Sequence, residues 1–89
     1  MGSPLDGILK RLGLSRPELS LLADIHEGQI ARVANGVVPT IPRRIKVTLE
    51  ELGVDVKALE EEHHAWREAK ATELRRTVLA RRERERQVG

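Results

Sequence analysis

An all-α fold is predicted, on three observations. Leu, Ile, Val and Ala recur at spacings of three and four along most of the 89 residues, the periodicity of one helix face. Ser-Pro, Leu-Gly and Asn-Gly pairs fall between these runs and mark where helices begin and end. The only aromatic is Trp66, so the core must be aliphatic, which suits small helices packed at close range. Four to five helices are expected: a compact unit over residues 1–55, then a long C-terminal helix over 56–89 that is rich in Arg at its end.

The first helix runs from Pro4 to Leu12. Ser3 caps it, Pro4 sits in its first turn, Leu5, Ile8, Leu9 and Leu12 recur at spacings of three and four, and Gly13 stops it. Ser15-Arg16-Pro17-Glu18 is a capping box, in which the Ser oxygen accepts a free amide and Glu stands three residues later. The second helix then continues its buried face through Leu19, Leu22 and Ala23 and ends across Asp24 to His26.

A third helix carries Ile30, Val33 and Ala34 inward and is closed by Asn35-Gly36, a pair suited to the left-handed conformation. After the Val37-Val38-Pro39 loop, Thr40 is expected to cap a fourth helix with Pro42 in its first turn. Ile45, Leu49 and Leu52 are its predicted inner stripe, interrupted by Thr48, with Val47 to the other side and Gly53 as the stop. From Val56 to about Arg86 neither Pro nor Gly occurs, and a continuous helix there spans about 45 Å at 1.5 Å per residue. Its apolar marks, Val56, Leu59, Trp66, Ala69, Leu74 and Val78, form a thin, drifting stripe rather than a clean heptad seam. The near half should pack on the body; the far half is solvated or awaits a partner.

Composition narrows the function classes. The absence of cysteine removes disulfides and thiolate metal sites. No apolar run approaches the ~20 residues that cross a bilayer, so a soluble, cytoplasmic chain is expected. The formal charge is +2, compatible with nucleic acid without demanding it. Its distribution says more: Glu60-Glu61-Glu62 form an acidic knot, whereas the end carries Arg75, Arg76, Arg81, Arg82, Arg84 and Arg86 against Glu83 and Glu85. Glu60 and His64 lie one turn apart beside His63, but zinc needs three or four convergent ligands, and no metal or cofactor is expected. No acid and base pair in a pocket-forming context, phosphate-cradling Gly loop or Ser-His-Asp set is present, so an enzyme is not expected.

Two short helices about a tight turn make a helix-turn-helix, whose second helix must be anchored from beneath and bare above. Leu19, Ala23, Ile25, Ile30 and Val33 supply the anchors, while Glu27, Gly28, Ala31 and Arg32 fall beside them. Ser15 to Gly36 resembles the helix-turn-helix of Cro-like, lambda-repressor-like proteins, the Xre-type family, with Ser15, Leu19, Ile25, Ile30 and Gly36 in ungapped register. The likeness extends over about Leu5 to Leu59 through Pro39 and Leu52-Gly53-Val54. Arg16, Ser20, Asp24 and Ala34 stand where that family often has Gln, Ala, Gly and Glu.

The resemblance implies a small lambda-repressor-like domain that binds double-stranded DNA through helix 26–34. It points to His26, Glu27, Gly28, Gln29 and Arg32 as the residues facing base edges. Gln29 suits adenine, Arg32 guanine and Glu27 the cytosine amino group. Gly28 lets the backbone approach, and the helix amino terminus favours anions. Alternatively, Glu27 only complements the helix dipole and Gln29 is solvated. Arg16, Asn35, Arg43, Arg44 and Lys46 are candidates for phosphate contacts, although Asn35 is also explained as a cap and Arg43 to Lys46 as a solvated basic turn. Trp66 is a packing anchor or a dimer contact.

The implied function is a sequence-specific transcriptional regulator, most simply a repressor, forming a homodimer or higher homo-oligomer through the C-terminal helix. Two other classes fit the same residues. One is a DNA-binding assembly protein, such as a phage packaging small subunit or a partition factor. The other is a helix-turn-helix that binds protein, as in an antitoxin. The Arg-rich end is a solvated helix, a phosphate-gripping arm or an oligomerisation segment.

Overall fold

A computed structural model describes residues 2–88. They form five helices, and no strand occurs among the described residues: α1 Pro4–Leu12, α2 Arg16–Ala23, α3 Glu27–Ala34, α4 Arg43–Glu51 and α5 Val56–Val88. No helix among them is long and apolar enough to cross a membrane.

Local chemistry sets most of the boundaries. The Ser3 side chain accepts the Asp6 amide at 3.1 Å. Ser15 and Glu18 close a reciprocal capping box, with Ser15 N–H donating to Glu18 Oε1 at 2.9 Å and Glu18 N–H to Ser15 Oγ at 3.2 Å. Helices α1 to α4 all end at a left-handed residue, namely Gly13, Asp24, Gly36 and Gly53. The residue after each returns its amide to a carbonyl of the last turn: Leu14 to Leu9, Ile25 to Ser20, Val37 to Arg32 and Val54 to Leu49. Among the described residues only Asp24 takes this conformation without being Gly, at φ 53°, and it does so at the turn between α2 and α3.

The core gathers Leu5, Ile8, Leu9, Leu19, Ile30, Val33, Ile41, Ile45, Leu49 and Leu59, drawn from all five helices and the loop before α4. Several expectations need correction. Leu22 is 54% exposed, because the short α2 buries only the narrow stripe of Leu19 and Ala23. Thr40 does not cap α4 and is exposed. The following Ile41 is pulled into the core instead, so Pro42 becomes the residue at the cap and the helix starts at Arg43. Leu52, expected inside, sits past the last turn at 43% exposure and lines a shallow groove with Ile8, Leu12 and Leu59. Thr48, expected to interrupt the stripe, is buried between Ile45 and Leu49. Of the pair closing α3, Gly36 alone is left-handed, and Asn35 stays helical.

The first third of α5 packs on α1 and α4 and reaches the loop that leaves α3. His63 is 1% exposed; its Nε2–H donates to the Val38 carbonyl at 3.0 Å, while its buried Nδ1 has no partner. Arg67 Nε donates to the Gly36 carbonyl at 3.0 Å. Trp66 lies over Gly36, with the Lys70 ammonium 4.8 Å from its ring centre, a cation–π geometry. Beyond Lys70 every described side chain of α5 is exposed, and the helix projects as a rod that gives the molecule its 55 × 23 × 21 Å extents.

Candidate nucleic-acid interface

Helix α3 is anchored on one side and bare on the other. Ile30 and Val33 are fully buried and Ala34 nearly so, while His26, Glu27, Gly28, Gln29 and Arg32 are exposed. The split follows from helical spacing: 30, 33 and 34 fall on one face, and 28, 29 and 32 on the opposite one. A Cβ at Gly28 would meet nothing within 4 Å, so the backbone there stands open to a close approach from outside.

No side chain caps α3 at His26 or α4 at Pro42, in contrast to Ser3 and Ser15 on α1 and α2. The first amides of an uncapped helix need an acceptor from outside, and the positive end of the helix dipole favours an anionic one. Arg43 and Arg44 open α4 and line a shallow depression with Ala23, Asp24, Val47 and Thr48. Arg44 Nη1 donates to the Asp24 carbonyl at 2.8 Å and lies 3.5 Å from the Asp24 carboxylate. It thereby steadies the turn before α3, and most of its side chain still faces solvent.

Two candidate phosphate contacts are engaged within the protein. Arg16 forms a two-pronged pair with Asp6, Nε to Oδ1 at 3.1 Å and Nη2 to Oδ2 at 2.8 Å. The hydrogen bond from Arg16 holds the Asp6 carboxyl below its ordinary value, outweighing the opposing effect of partial burial. The Arg16 pKa is raised by the same bond, and Glu27 adds to the field that stabilises its charge. Glu27 at the start of α3 is thus near a positive partner of its own chain. Lys46 pairs with Glu60 of α5 at 2.7 Å, on the side of α4 that faces the rod.

Asn35 is exposed at the end of α3. The fold therefore leaves Gly28, Gln29 and Arg32 on one bare face of α3, exposes His26 and Glu27 at its start, and sets Arg44 beside the turn that begins it, whereas Arg16 and Lys46 serve as ties to α1 and α5. The residues considered for a metal are turned to separate partners: Glu60 to Lys46, His63 to Val38, and His64 to Glu68 at 3.1 Å. Sequence reasoning missed the seat of Trp66 on Gly36 and of His63 on Val38. The signal was present in His63 and the single Trp66 at helical spacing from Leu59, but the partner loop lies 25 residues or more away. No protein-family model, curated protein or solved structure matches the chain.

Proposed function

We propose that this chain is a sequence-specific DNA-binding regulator of the Xre type, most simply a repressor acting in the cytoplasm, and a binding protein rather than an enzyme. The observation that carries the reading is the two-sidedness of α3, seated by Ile30 and Val33 and bare at His26, Glu27, Gly28, Gln29 and Arg32. Set in a major groove, this face offers Gln29 to an adenine edge and Arg32 to guanine, with Glu27 at the start of the helix left for the cytosine amino group. The uncapped starts of α3 and α4, with Arg43 and Arg44, hold the flanking phosphates.

Selection from random-sequence duplexes, followed by a salt titration of the enriched site, tests this. A defined motif should emerge, and its affinity should fall steeply with salt as counterions condensed on the duplex are released. Recovery of unenriched sequence, or binding insensitive to salt, would refute it.

A further inference from the structure

The outer part of α5 exposes Leu74 at 62%, Val78 at 43% and, one step off their line, Leu79 at 55%. Over the whole helix the apolar residues drift, because Leu59, His63 and Trp66 follow the body of the domain. Set those aside and a straight row remains beside them, at alternating steps of three and four: Arg67, Ala71, Leu74, Val78, Arg81, Glu85. That is the spacing of a two-helix seam, with an apolar centre and charged ends. We propose that this row pairs with the same row of a second copy running in the opposite direction, Leu74 of each chain against Val78 of the other.

Charge decides both the partner and the direction. In a parallel pair each layer meets its own kind, which sets Arg67 on Arg67, Arg81 on Arg81 and Glu85 on Glu85 around the same small apolar centre. Reversal brings the second copy's Glu85 to the outer nitrogens of Arg67, whose Nε stays with the Gly36 carbonyl, and leaves Arg81 opposite the small Ala71. On one flank it also brings Glu68 beside the second copy's Arg82; on the other, Lys70 comes beside the second copy's Arg84, a like-charge contact that offsets part of this gain. Opposite charges in such flanking positions set the orientation of helix pairs. Arg75 faces its own counterpart near the axis, which keeps the pair dissociable.

The proposal does not rest on DNA binding, and its test contains no DNA. Full-length protein at ~100 µM, a concentration at which modest self-association is populated, should sediment as two chains. Glu68→Arg should weaken the association at least ten-fold, and the double variant Glu68→Arg with Arg82→Glu should restore it. Arg75→Gln should tighten it. Because the chain has no cysteine, Leu74→Cys protein mixed with Val78→Cys protein should form the mixed disulfide faster than either variant forms its own. Circular dichroism confirms that each variant is folded. A monomer, a mass above two chains, failed restoration by the charge swap, or faster self-linking of Leu74→Cys would overturn the proposal.

Discussion

The six-membered ring of Trp66 lies so close to the backbone of Gly36 that a Cβ added there would come within 3.0 Å of Trp66 Cζ3. Gly36 also has φ +76°, a conformation that costs other residues about 1 to 2 kcal/mol. Gly36→Ala should therefore destabilise the fold by roughly 2 to 4 kcal/mol, backbone strain and overpacking together. Trp66→Leu relieves the overpacking, so in urea unfolding the double variant should lose less than the sum of the single losses, by about 1 kcal/mol.

His63 closes the same junction. His63→Ala removes a buried ring and leaves the Val38 carbonyl without its donor, an expected loss of about 2 to 4 kcal/mol. The neighbouring exposed residue provides the control, because His64→Ala should change stability by less than about 0.5 kcal/mol. Equal losses for the two would contradict the seating of His63.

Acid should weaken the tie between α1 and α2. The bond from Arg16 depresses the Asp6 pKa in the folded chain, so the stabilisation is present above the unfolded carboxylate value. It is lost as pH falls from there through the lower, folded value. Both side chains are about one third exposed, which limits the effect to under about 1 kcal/mol. Asp6→Asn should be less stable than the parent at pH 7, and the gap should close toward pH 2. Glu18, whose carboxylate accepts the Ser15 amide, is shifted in the same direction and loses its contribution in the same acid range.

The turn before α3 holds an Asp where the other stops hold Gly. Asp24→Val should cost about 1 to 2 kcal/mol, since a branched side chain resists the left-handed conformation. Asp24→Gly should leave stability nearly unchanged, because the relieved backbone offsets an exposed ion pair worth little. A thermal unfolding series over these variants decides it.

On an enriched DNA site, Arg32→Ala and Gln29→Ala should each weaken binding by about 1 to 3 kcal/mol and relax preference at one base position. Lys46→Ala, which breaks only the pair with Glu60, should leave the affinity close to that of the parent. A loss at Lys46 as large as at Arg32 would mean that the α4 flank, not α3, carries recognition.

Helix ends were the most legible part of the fold, because Ser15 with Glu18, and Gly13, Gly36 and Gly53, act through bonds to residues within one turn. The anchored side of α3 was legible for a similar reason, since Ile30 and Val33 repeat at helical spacing. Leu22, Leu52 and Thr48 were not, because their burial depends on where neighbouring helices stop, which periodicity within one helix does not encode. The engagement of Arg16 by Asp6 and of Lys46 by Glu60 was also hidden. Each pair joins two helices whose meeting depends on tertiary packing, so a basic residue there reads the same whether it awaits a phosphate or already has a carboxylate.

The loop that leaves α3 is clasped by α5 at two carbonyls, Gly36 by Arg67 and Val38 by His63. The consequence is mechanical: the rod is splinted to the head through the loop after α3, which ties its direction to that of the head. Adding one residue beyond Lys70 would rotate everything distal by about 100° about the helix axis, re-aiming the seam while leaving the head untouched. In the pair of chains proposed above, such an insertion would change the phase between the two heads, because the length of this shaft sets it.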